Sequence, residues 1–175
     1  LAHADPDPEL PFFIAGSCSK TFSMTGYRLG WAIGPKKGVA AAGLIQSHSM
    51  NGATTFAQFG GLEGIREEDR LFAAVLELFA RRRQVLLEEL AAVPGLRCPE
   101  PDGAFYAFPD ASGLMERVGA KDTDALAQAL LKDFGVMVVP GGTLGMEGHL
   151  RISYAVEEPL IREAAARIRK AAGGS

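Results

Sequence analysis

Several scarcities in this sequence narrow its function before any motif is read. Among its 175 residues there are two cysteines, Cys18 and Cys98, and three histidines. Two thiols so far apart do not make the disulfide framework of a small secreted domain; they point to reduced thiols and a cytoplasmic setting. His3, His48 and His149 are scattered, so no metal-ligand spacing appears and no metal is expected. Charge of one sign is lacking as well. Against 18 Lys and Arg stand 21 Asp and Glu, for a formal net charge of −3. That balance offers no basic surface to nucleic acid or to an anionic membrane. No apolar run approaches the roughly 20 residues of a membrane-spanning helix, and the chain as given opens without the charged and apolar regions of a secretory signal. Arg81-Arg82-Arg83 is the one basic cluster, read as a solvated helix face. What remains is a globular composition, 47% hydrophobic and 22% charged, enough for one core or two small ones.

The richest stretch is Ser17-Cys18-Ser19-Lys20-Thr21-Phe22-Ser23-Met24-Thr25-Gly26-Tyr27-Arg28-Leu29-Gly30-Trp31. A lysine amine can condense with a cofactor aldehyde. Serine hydroxyls and a guanidinium fork can hold a phosphate. Pyridoxal 5'-phosphate (PLP) carries both groups. One lysine and one arginine alone would fit a surface loop and a strand ion pair equally well; the full pattern points to the cofactor. Gly26 suits a loop that bends close to it.

The rest of the chain supplies a frame. Residues 1–11, rich in proline, read as a loop. Residues 11–15 and 28–33 read as short buried strands of a sheet covered on both faces, with the motif loop between them. Residues 39–49 form a helix ended by Asn51-Gly52, and a second helix capped by Thr54 or Thr55 runs to about Leu62. Residues 67–93 carry the clearest helical signal. Leu71, Val75, Leu78, Phe79, Leu86 and Leu90 make an apolar stripe, Glu67, Glu68 and Asp69 suit its N-terminal end, and Pro94-Gly95 stops it. Beyond it, residues 104–108, 136–139 and 150–155 read as strands, 123–134 as a helix capped by Thr123, and 159–172 as the last helix, followed by Gly173-Gly174.

The Lys20 segment, with its S-x-S-K-x-x-x-M-x-G-x-R-x-G core, closely resembles the cofactor-lysine segment of class I aminotransferases, and the order of elements resembles the C-terminal half of such an enzyme. The resemblance covers nearly the whole chain, which opens at Leu1 rather than Met. It implies an α/β fold: the end of an aspartate-aminotransferase-like PLP-transferase large domain over 1–66, a linking helix over 67–93, and a small α+β C-terminal domain over 94–175. It implies a PLP-dependent aminotransferase that moves an amino group between an amino acid and a 2-oxo acid, present as a C-terminal piece, homodimeric when full length and inactive alone. The alternatives are a PLP lyase of the same fold and a non-catalytic PLP-sensing domain of a transcription regulator.

By the same resemblance Lys20 is catalytic and carries the cofactor, with Ser17, Ser19 and Arg28 at its phosphate. Arg151, in Leu150-Arg151-Ile152-Ser153-Tyr154-Ala155, matches the arginine that grips the substrate α-carboxylate, a task suited to a planar two-pronged donor. Gly103-Ala104-Phe105-Tyr106 resembles a segment whose aromatic approaches substrate, although core packing accounts for Phe105 as well. Residues 138–145 resemble the V-P-G-x-x-F-G turn but depart from it at Gly142-Thr143-Leu144. Residues 49–58 depart from S-N-P-T-S-x-A-Q, a dimer-interface segment, by placing Gly52 where Asn is expected, with Asn51 one place early.

Overall fold

The computed structural model describes residues 12–173; the loop expected over 1–11, with His3, and Gly174 lie outside the described residues. The chain divides into two compact units, residues 1–74 and 75–175.

The first unit is a hairpin with helices. Strands β1 (Ile14–Ser17) and β2 (Gly30–Ile33) pair antiparallel, with Ile14 opposite Ile33 and Ser17 opposite Gly30. A side chain at Gly16 would run into the Trp31 indole, its cross-strand neighbour. The two strands are partly exposed rather than covered on both faces, since Ala15, Ser17, Gly30, Trp31 and Ala32 meet solvent. That corrects the reading of buried strands, which rested on apolar character alone. Helix α2 (Lys36–Ser49) buries none of its residues.

Helix α3 (Thr55–Arg66) runs a turn beyond the expected end at Leu62, and Thr54 caps it without a side-chain bond. Its face of Ala57, Gly61 and Gly64 is buried. A Cβ at Gly61 would lie 2.5 Å from Leu29 Cδ2, and one at Gly64 2.9 Å from Phe22 Cγ. Glycines that count against a helix by propensity are kept because side chains of the motif loop sit on them.

Helix α4 (Glu68–Ala91) is the long helix read from the stripe, 24 residues, or about 36 Å at 1.5 Å per residue. Only Val85, Leu86 and Leu90 of it are buried; Leu78, expected on the buried stripe, is exposed.

In the second unit, β3 (Tyr106–Ala107), β4 (Val139–Pro140) and β5 (Leu150–Ser153) form an antiparallel sheet in the order β3-β5-β4. It packs with α5 (Ser112–Val118), α6 (Thr123–Phe134), α7 (Glu158–Ala171) and the end of α4 around Leu86, Leu90, Leu114, Leu126, Leu130, Leu150 and Ile168. Helix α6 is capped by Asp122, whose carboxylate accepts from Ala125 N–H at 2.7 Å, not by Thr123. Thr123 is fully buried and donates its hydroxyl to Glu147 at 3.0 Å. The Arg81–Arg83 run is a solvated face only in part: Arg81 is exposed, while Arg82 and Arg83 are half-buried. Arg81 pairs with Glu158 and Arg83 with Glu100, and the Arg82 guanidinium lies 5.4 Å from the Phe79 ring centroid. Glu89 accepts from Arg162 at 2.7 Å and Arg169 at 3.2 Å, tying α4 to α7.

Candidate active site

The motif residues of the first unit all rise from one end of the β1–β2 hairpin. Because Ser17 faces Gly30 and Cys18 N–H donates to Leu29 C=O at 3.1 Å, residues 18–29 form a closed loop. The loop is locally ordered. Helix α1 (Cys18–Thr21) starts on Ser17, whose hydroxyl accepts from Ser19 N–H at 3.2 Å, and Thr25–Tyr27 makes a 3₁₀ turn. Cys18 and Met24 are buried and anchor the loop from inside; Lys20 and Arg28 are exposed.

Arg28 sits at φ 53° and Ser23 at φ 55°. Left-handed backbone at residues other than glycine costs free energy and clusters at functional sites. One guanidinium nitrogen of Arg28 donates to Thr25 C=O at 2.9 Å, bracing the side chain across the 3₁₀ turn. Its remaining N–H groups take no partner among the described residues. The Ser17 hydroxyl, used only as an acceptor, keeps its hydrogen to donate. One amine, two hydroxyls and one braced guanidinium on a single loop are the donor set a phosphorylated aldehyde requires, so these residues fit PLP. Gly26 is not required by the chain's own packing: its φ is not positive, and a Cβ there would meet nothing within 4 Å.

Arg28 also borders an open recess of about 650 Å³ whose other walls include Tyr27, Met50, Gly52, Thr54 and Phe56. The recess brings the motif arginine to the segment that departs from the family pattern. Asn51 beside it has φ 59°, and the Tyr27 and Phe56 rings meet edge to face at 6.1 Å. Chain spacing gave no sign of that ring contact.

Arg151 belongs to the second unit. It stands half-buried on β5, paired in register with Val139. Its guanidinium carbon lies 4.6 Å from the centroid of the Tyr106 ring, and among the described residues it has no carboxylate partner. A guanidinium held over a ring in this way can still offer its planar N–H fork to a carboxylate. The neighbouring Phe105 packs on the core, 6.3 Å from the Phe79 ring and 4.2 Å from that of Tyr106. Sequence reading singled out Phe105 and missed Tyr106, whose ring is the one beneath the Arg151 guanidinium.

Elsewhere, Asp110 accepts from Ser112 N–H at 2.9 Å and from Arg97. The Ser112 amide and hydroxyl, then the Arg97 guanidinium, hold its carboxyl well below the usual carboxylate range. Burial pushes the Tyr154 phenol and the Cys98 thiol up. Both cysteines are free. Among the described residues no group of three or more His, Cys, Asp or Glu is placed to hold a metal, and no helix is long and apolar enough to cross a membrane.

Known proteins match this chain over most of its length. The family model for aminotransferase class I and II matches residues 1–168. The aspartate/prephenate aminotransferase of Cereibacter sphaeroides is 42% identical over 161 residues, which are 89% of this chain and 40% of the relative. The aspartate aminotransferase of Bacillus subtilis is 35% identical over 157 residues, covering 90% of this chain and 40% of the relative. Among solved structures, the aspartate aminotransferase of Rhizobium meliloti superposes with a TM-score of 0.85 at 33% identity, over 92% of this chain and 42% of that one. The chain thus spans about 40% of the length of the curated relatives it matches.

Proposed function

This chain belongs to the class I and II aminotransferase family, whose enzymes work through PLP, and we propose that the whole protein moves an amino group between an amino acid and a 2-oxo acid. The names of its relatives support aspartate as an amino donor. The observation that carries the reading is the closed hairpin loop, which gathers Ser17, Ser19, Lys20 and Arg28. When bound, PLP supplies an aldehyde carbon to hold the amine and a ring that spreads the negative charge left at the substrate Cα.

The chain's residues divide the remaining tasks. Lys20 holds the cofactor and, once displaced by substrate, takes up and returns the Cα proton at its Nζ. Arg28 neutralises the phosphate, and the Ser17 and Ser19 hydroxyls donate to it. Arg151 binds the α-carboxylate through its in-plane fork and so orients the Cα–H bond. We keep the division into 1–66, 67–93 and 94–175 within this proposal. A cytoplasmic setting belongs to the same proposal, and the free thiols support it. A homodimer is supported by the exposed Leu44, Ile45, Met50, Phe56 and Phe59 of the first unit.

Borohydride reduction of the PLP-loaded whole protein, followed by peptide mapping, tests the reading. The label is expected on Lys20 and absent from Lys20→Ala. A label on another lysine, or equal labelling of the variant, would overturn it.

A further inference from the structure

Among the described residues Arg151 has no carboxylate partner, and the Tyr106 ring lies beneath its guanidinium. From Tyr106 and Arg151 on the neighbouring strands β3 and β5, we infer that Tyr106 is a positioning residue, its ring face presetting the Arg151 fork for a substrate carboxylate. The inference rests on the proposed role of Arg151 and adds a residue to it.

Three observations carry it. The guanidinium carbon stands 4.6 Å from the Tyr106 centroid, within the roughly 6 Å over which a ring face attracts a cation. Arg151 has no carboxylate among the described residues to hold it instead, and a long arginine side chain loses rotamer freedom on being ordered. The Tyr106 ring itself packs on another ring. It lies 4.2 Å from the Phe105 ring, and Phe105 stands 6.3 Å from Phe79. The turn before them is held too: Ala104 is at φ 61°, and its carbonyl accepts the buried Tyr154 hydroxyl at 3.0 Å. Left-handed backbone at a residue other than glycine costs free energy, and here it is fastened by a buried hydroxyl directly before the two rings.

The test uses the PLP-loaded whole protein, with maleate as the carboxylate probe and its dissociation constant read by calorimetry. Arg151→Leu should weaken maleate by about tenfold or more. Tyr106→Phe keeps the ring face and should stay within about twofold. Tyr106→Leu should weaken binding by about threefold to thirtyfold. Replacement of Tyr106 by pentafluorophenylalanine, which keeps the shape but reverses the ring's charge distribution, should do the same, and it stands in if Tyr106→Leu does not fold. Added to Arg151→Leu, Tyr106→Leu should cost nothing more.

If Arg151→Leu binds maleate as the wild type does, the proposed role of Arg151 fails. If Arg151→Leu is weakened while the ring replacements are not, only the positioning by Tyr106 fails. It fails likewise if Tyr106→Phe loses as much as Tyr106→Leu, or if the loss persists without Arg151.

Discussion

The two units enclose their apolar residues to very different degrees. In the second, Leu90, Leu114, Leu126, Leu130, Leu150 and Ile168 are at most 1% exposed, and Tyr154 closes the core. In the first, the buried apolar side chains among the described residues are Cys18, Met24 and Ala57, while Ile45, Met50, Phe56 and Phe59 stand 67–73% exposed. Composition does not explain the contrast, since both stretches are rich in Phe, Leu and Ile. The second unit brings elements distant in sequence together around a shared interior. The first holds its loop by local means: a hairpin, an N-cap and two glycines against which side chains lie. The Lys20 loop thus belongs to the unit that this chain by itself encloses less.

If that contrast is right, cavities should hurt the second unit most. Leu130→Ala should lower unfolding stability by about 2–5 kcal/mol, seen as a shift of the urea midpoint; a loss below 1 kcal/mol would mean the core is looser than its burial indicates. The arginines should then separate by unit. Arg28→Ala should weaken PLP by about ten- to a hundredfold at nearly constant stability, as expected for one charge-assisted contact of about 1.5–3 kcal/mol. Arg151→Ala should lower kcat/KM and raise KM with PLP affinity unchanged. Exchanged phenotypes would invert the assignment.

A smaller effect probes the glycine seat. Gly64→Ala improves helix propensity by about 1 kcal/mol but forces a ring away at Cγ, close to the Phe22 backbone, at a cost of about 1–3 kcal/mol. The expected net is a loss of about 1 kcal/mol together with weaker PLP binding; unchanged PLP affinity would show that the loop does not depend on α3.

The smallest effect concerns Asp110. Its folded carboxyl is held below its unfolded value, so its stabilisation is complete above about pH 4 and drains away as the pH falls through the lowered folded value. Asp110→Asn should cost about 0.5–1 kcal/mol at pH 7, modest because Arg97 is largely exposed. The gap in denaturation midpoint should shrink toward pH 2; a gap that widens on acidification would reverse the sign.

How legible each part was in the sequence follows from where its partners lie. Helices α4 and α6 were legible because their apolar residues recur at helical spacing. The end of α3 was not: Gly60, Gly61 and Gly64 look like a stop until Leu29 and Phe22 are seen lying on two of them. Strands β3 and β4, two residues each, carry too little pattern for their bounds to be read. The residues proposed to hold PLP could be read because they are continuous along one loop. Tyr106 was not, because what gives it meaning is a cross-strand neighbour far along the chain.

By itself, then, the sequence determined the kinds of group on the Lys20 loop, the family, and the elements whose period repeats over several turns. All of these are carried by residues near one another in the chain. Tertiary structure alone decided that Arg28 adopts left-handed backbone braced on Thr25, that glycines are required inside α3, and that a tyrosine ring lies under Arg151. Each of these depends on contacts or backbone geometry that only folding sets, and residue order does not record them.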